Sequence, residues 1–311
     1  MNSPEPSVAA QNTPPPGRGR WVVVLLAAML LTLLGLFWLY LEAVNASLWG
    51  FGPRELAIAQ YTPKDVVGDL GGMKVVIPRG VAELVEYDDD PTWGEKRKGP
   101  RPVRTFDSRL ASFGFYVRYP DGATFADPEM RKDYEKYGTR ERAFNHGIRG
   151  GDLWLRPGVS SGKFYSRDGF LDRISVKLDA PIGRPWWQKF DKLPHKEHGL
   201  TVYRVKGIEA ELADPQKKLD FMVKDVYIHR DKTGKVKTYI DCHPKEWHSS
   251  ACKQSWSLED DGVHAEVYVA YGPEKRKNWR EIQKMITQTL LGFRAAPNGD
   301  ASSTEPALKN L

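Results

Sequence analysis

Residues 221–271 read FMVKDVYIHRDKTGKVKTYIDCHPKEWHSSACKQSWSLEDDGVHAEVYVAY, and this stretch decides the fold. Phe221–His229 and Lys235–Cys242 are strand-like runs on either side of Asp231, Lys232, Thr233 and Gly234, the pattern of a β-hairpin. Lys253–Leu258 and Val263–Tyr271 continue as two further strands, the second with Val263, Ala265, Val267 and Val269 on one side, so the segment predicts an antiparallel meander. Downstream, Glu274–Phe293 places Trp279, Ile282, Ile286, Leu290 and Phe293 at helical spacing. That stripe is expected to pack on the sheet while Lys275, Arg276, Lys277 and Lys284 face water. The predicted class is α+β, a mostly antiparallel sheet with a C-terminal amphipathic helix.

Upstream the pattern is coarser. Met73–Ile77 and Val81–Tyr87 read as strands around Pro78, and Ser112–Tyr119 alternates Phe113, Phe115, Val117 and Tyr119 with smaller or charged residues. Asp127, Pro128 and Glu129 start a helical segment that runs through Tyr137. Asp152–Gly162 and Phe170–Leu178 read as extended. Ser47–Gly72 reads as a stalk with a short helix, capped by Thr62, entered at Pro63 and stopped at Gly71 and Gly72. No fixed-period repeat is present.

Trp21–Leu41 runs twenty-one residues without a charge, nine of them Leu and three Val. As a helix it reaches about 31 Å, the thickness of a bilayer's hydrocarbon core. Trp21, Leu25, Leu33, Phe37 and Leu41 mark the expected membrane anchor. The run exceeds the 7–15-residue apolar core of a cleaved signal, although Val44 and Ala46 would suit a peptidase, so cleavage stays open. Arg18 and Arg20 before the span favour a cytoplasmic amino terminus. The expected organisation is a disordered tail at 1–20, the transmembrane helix at 21–41, the stalk at 42–72, an exported domain at 73–295 and a disordered end at 296–311.

Cys242 and Cys252 are the only cysteines, and a disulfide between them agrees with export, because such bonds persist outside the cytosol. The rival reading is zinc held by Cys242, His243, His248 and Cys252, but adjacent Cys242 and His243 do not converge easily on one ion. A bond there staples the base of a loop carrying Trp247 and His248, a constrained surface suited to a protein partner. The densest basic run, Lys96, Arg97, Lys98, Arg101 and Arg104, is broken by Gly99, Pro100 and Pro102 and reads as a loop, either solvated or in contact with lipid or an acidic partner. The chain holds 46 Lys plus Arg against 40 Asp plus Glu, a net charge of +6 without a concentrated basic face, which argues against nucleic acid.

No nucleophile elbow, zincin motif, phosphate loop or dinucleotide fingerprint is present, and no cofactor is expected. The best enzymatic candidate is Asp88-Asp89-Asp90, which reads as the divalent-ion site of a sugar-nucleotide transferase or as a solvated acidic loop. A nucleotide-binding α/β half is missing before it. His146, His195, His198, His229 and His264 are scattered without a partner motif.

Val67-Gly68-Asp69-Leu70-Gly71-Gly72-Met73, Ile77-Pro78-Arg79, Lys96-Arg97-Lys98-Gly99-Pro100, Asp107-Ser108, Ser112-Phe113-Gly114-Phe115, Arg118-Tyr119-Pro120-Asp121, Gly169-Phe170-Leu171-Asp172-Arg173, the cysteine pair and Trp279 through Gln283 form a further pattern. Over about residues 62–294 it resembles a group of single-span inner-membrane proteins of Gram-negative bacteria with a periplasmic domain. Members accompany type VI secretion effectors, so the resemblance implies a periplasmic immunity or accessory role and carries no catalytic residue. The expected function is non-enzymatic protein binding at the inner membrane, with a structural or sensory envelope role as the alternative.

Overall fold

The computed structural model describes residues 25–26, 28–38, 40, 64–91, 95–138, 153–179, 189–214, 223–244 and 252–296. The chain divides into two units, Met1–Ala57 and Ile58–Leu311. In the first, the described residues are helical, and Leu25, Leu33 and Phe37 are exposed. Among the described residues no helix is long and apolar enough to cross a membrane. Trp21 and Leu41, the ends of the expected span, lie outside them.

The second unit is built on a nine-stranded sheet. Its strands are β3 (Ala82–Tyr87), β4 (Leu110–Phe115), β7 (Gly158–Ser160), β8 (Phe190–Glu197), β9 (Leu200–Val205), β10 (Asp225–Arg230), β11 (Val236–Cys242), β12 (Cys252–Ser257) and β13 (Glu266–Tyr271). They lie in the order β3-β4-β7-β13-β12-β11-β10-β9-β8, every pair antiparallel. Strands β8 to β13 therefore form one meander, and the sheet is completed where β13 takes β7 as its second neighbour. Two short pairs stand apart: β1 (Val66–Leu70) with β2 (Met73–Ile77), and β5 (Val117–Arg118) with β6 (Trp154–Leu155).

The meander follows the alternation in the sequence. Tyr227, Ile240, Trp256, Val267 and Val269 bury on one face together with Leu200 and Val202. Among the described residues four α-helices accompany the sheet: α1 (Pro128–Tyr137), α2 (Phe170–Asp179), α3 (Glu209–Ala213) and α4 (Trp279–Leu291). Helix α4 buries Trp279, Ile282, Met285, Ile286 and Leu290 in the same core, a stripe worth roughly 10 kcal/mol of apolar burial. The β1–β2 hairpin joins this layer, since the Val76 amide donates to the Phe293 carbonyl at 2.8 Å and the Ala295 amide to the Lys74 carbonyl at 2.9 Å. Leu171 and Leu178 of α2 pack with Tyr203, Val226 and Ile228, whose strand parity places them on the opposite face.

Three expectations are corrected, and one pair of strands is new. The short helix expected before Met73 is strand β1: Val66, Gly68 and Leu70 point inward at a period of two, and Gly71 and Gly72, at φ +55° and +97°, form the tight turn of a hairpin instead of a helix stop. Phe170–Leu178 is helix α2, because Phe170, Leu171, Ile174, Ser175 and Leu178 share a 3.6-residue face. Strands β8 and β9 were not legible; they turn at His198 and Gly199, with φ of +52° and +80°. Of the four cations expected to face water, Lys277 and Lys284 do, whereas Lys275 is buried and Arg276 turns in onto Glu197 and the Tyr227 ring.

Gly71 shows how tightly the hairpin is seated. A Cβ there would lie 2.3 Å from the His264 carbonyl oxygen, while the Gly71 carbonyl accepts from the His264 amide at 2.9 Å. Gly71→Ala is expected to destabilise the domain by at least about 2 kcal/mol, read as a lower urea midpoint at unchanged slope. In the β10–β11 turn, Asp231 accepts from the Thr233 hydroxyl and from the amides of Thr233 and Lys235, which together with Lys237 hold its pKa down at about 2. A depressed carboxyl contributes stability above its unfolded value of 3.8 and loses it as pH falls toward 2. Urea midpoints at pH 5 and pH 2.5 are thus expected to converge in Asp231→Asn relative to the parent protein.

Candidate functional site

Cys242 and Cys252 are register partners on β11 and β12, with Cα atoms 4.0 Å apart and their sulfurs bonded. No free cysteine remains, so the zinc reading is overturned: both thiolates are spent. His243, next to the bond, is buried. Trp247 and His248 lie outside the described residues.

Beside Cys242 in the sheet stands Asp225, and around it is a charged network that sequence reasoning missed. Arg204 of β9 donates from Nε and Nη2 to Asp225 Oδ2 at 3.1 and 2.9 Å. The carboxylate is 1 % exposed and its Oδ1 has no hydrogen-bond partner among the described residues; burial pushes its pKa up against the pull of Arg204. Arg276 donates to Glu197 at 2.6 Å, with its guanidinium 4.0 Å over the Tyr227 ring, and burial lifts the Tyr227 hydroxyl to about 12. Lys275 is buried with its ammonium 5.0 Å from the Tyr119 ring centre, a cation–π contact that replaces water. The Tyr119 hydroxyl accepts from Asn278 and donates to Glu281, each at 2.9 Å. Parity offered one signal: Asp225 shares the inward register of Tyr227, and an acid there needs a cation.

Under α4 the polar groups are satisfied. Tyr271 donates to Gln254 Oε1 at 2.7 Å, Gln254 Nε2 to Gln283 and the Trp279 carbonyl, and Thr238 to Gln283 at 2.8 Å. Such a network fixes where the helix sits as well as how strongly.

The basic run resolves into two roles. Arg97 pairs with Asp90, while Arg104 donates to Asp89 at 2.5 Å and Asp90 at 2.7 Å and lies 4.0 Å over the Tyr87 ring. Asp88 accepts from the Lys163 amide at 2.8 Å. The three aspartates expected as a divalent-ion site are thus engaged by arginines and an amide. Lys96, Lys98 and Arg101 point to solvent. Structure therefore divides the expected contact residues, holding Arg97 inward.

A second polar cluster joins the turn after β7 to the β12–β13 connection. Tyr165 donates to Asp168 at 2.5 Å, His264 Nδ1 lies 3.0 Å from Asp168, and Glu259 accepts from the Gly169 amide and from Lys235, each at 2.9 Å. The hydrogen bonds from Tyr165 and His264 hold Asp168 below the usual range. Burial would raise Glu259, but Lys235, the Gly169 amide and Ser257 outweigh it and lower it. Burial and Asp168 push the Tyr165 hydroxyl far above its ordinary value. Asp168 and Glu259 thus move down and Tyr165 up, all three away from neutrality.

No protein-family model matches the chain, and no curated protein sequence matches it. Among solved structures it is similar to that of Smlt3025, described as an immunity protein of the Stenotrophomonas maltophilia type IV secretion system, at 16 % identity and a TM-score of 0.41, over 76 % of this chain and 94 % of that one.

Arg204→Met, which strands the buried Asp225 carboxylate, is expected to cost about 3–5 kcal/mol in chemical unfolding. The pair Arg204→Met with Asp225→Leu is expected to recover most of that loss. Equal losses in the single and double variants would contradict the network.

Proposed function

We propose that this chain is a single-pass inner-membrane protein, anchored at residues 21–41 with its amino terminus cytoplasmic, whose periplasmic domain binds a protein partner without catalysing a reaction. The partner is a type VI secretion effector, and the chain serves as its immunity or accessory protein. The bond between Cys242 and Cys252 carries this reading, because it belongs in an oxidising compartment. The uncharged run from Trp21 to Leu41 supports the tether. Paired acids at Asp88–Asp90 and the shifts of Asp168, Glu259 and Tyr165 away from neutral pH support a binding role over an enzymatic one. The motif pattern over 62–294 supports the secretion context.

Tethering has a physical use here. An inhibitor confined to the membrane meets a toxin of lipid or wall at raised local concentration, so modest intrinsic affinity suffices. The test expresses the full chain with the effector encoded beside its gene, the effector being directed to the periplasm. Restored growth and co-purification from detergent-solubilised envelopes are expected. Replacing residues 1–46 by a cleavable export signal is expected to weaken protection while leaving co-purification intact. No protection together with no recovered effector would overturn the reading.

A further inference from the structure

The loop from Lys96 to Arg104 is held from behind and charged in front. Arg97 and Arg104 turn inward onto Asp89, Asp90 and the Tyr87 ring, and Pro100 and Pro102 stiffen the stretch between them. What remains outward is Lys96, Lys98 and Arg101, which among the described residues pair with no carboxylate, beside Val103 at 89 % exposure. The stretch itself holds no acid; Glu95 lies just before it and Asp107 beyond it.

We propose that this loop docks the domain onto an anionic lipid surface, with Lys96, Lys98 and Arg101 at the headgroup phosphates and Val103 at the boundary with the acyl chains. Three features select lipid over an acidic protein. Cations around an exposed aliphatic side chain match an interface that is anionic outside and apolar beneath. A rigid loop loses little conformational freedom on docking. Only 23 residues separate Tyr40 from Lys64, a reach of at most about 80 Å, so a domain anchored as proposed above stays within range of the bilayer. The inference rests on that anchor.

The test uses the full chain carrying Val103→Cys. Both native cysteines are bonded, so the added thiol alone takes an environment-sensitive fluorophore. The labelled protein is reconstituted into nanodiscs of phosphatidylcholine, with or without phosphatidylglycerol. In anionic discs the emission is expected to shift to the blue and to be quenched by spin-labelled lipid; 0.5 M salt, or the triple variant Lys96→Glu, Lys98→Glu and Arg101→Glu, is expected to abolish both effects. Each cation contributes about fivefold to such a contact, so the triple variant is expected to weaken it at least about a hundredfold. Incorporation without any dependence on anionic lipid would overturn the loop proposal and leave the anchor standing. A shift produced by added polyglutamate and not by anionic lipid would assign the loop to an acidic polypeptide, again overturning it. Failure of the chain to enter discs of either composition would overturn the anchor, and the docking with it.

Discussion

The covalent link between Cys242 and Cys252 joins two residues that already face each other across the β11–β12 ladder, and it therefore locks a register. Side chains alternate with a period of two, so a slip of one residue would turn Ile240, Gln254 and Trp256 out of the core. Closing a loop of this size contributes about 3 kcal/mol in the chain-entropy model, less than the burial of the α4 stripe. Its larger effect is on which sheet forms. Strand β13 aligns on β12, β7 on β13 and β4 on β7, so a fixed β11–β12 pair propagates across half of the sheet.

The same end of the sheet carries the molecule's least ordinary electrostatics. Asp225 sits beside Cys242, fully buried and held on one oxygen by Arg204, while Arg276 stacks on Tyr227 and reaches Glu197. Buried ion pairs seldom add net stability over apolar replacements, yet breaking one is costly, which makes the arrangement specific rather than strong. Elsewhere acids are held by neighbouring donors: Asp88 to Asp90 by the Lys163 amide and two arginines, Glu259 by Lys235 and a backbone amide.

Much of the meander was legible because its alternation and turn chemistry agree. Asp231 to Gly234 announced the hairpin, and Trp279, Ile282, Ile286 and Leu290 announced α4. Where two signals conflicted, the reading went astray. Gly71 and Gly72 serve equally as a helix stop or as a hairpin turn, and only the pairing of Val66–Leu70 with Met73–Ile77 separates the two. Phe170–Asp179 mixes β-branched residues with a helical stripe, and packing of Leu171 and Leu178 on β9 and β10 decides for the helix. Strand β8 has charged and prolyl residues along a sheet edge, a composition that blunts the edge and hides the strand. The disulfide could be read from two isolated cysteines. The Arg204–Asp225 pair could not, because its partners are 21 residues apart and meet only when β9 and β10 align.

Oxidation of the two cysteines in the cell links the fold to the proposed compartment, and it can be measured directly. Cells producing the full chain are quenched with acid, and the protein is denatured without reductant and treated with a maleimide of high mass. The account predicts no mass shift until a reductant is added first, after which two adducts appear. Two adducts without reductant would show free thiols at Cys242 and Cys252 and would contradict both the bond and the placement of the domain outside the cytosol.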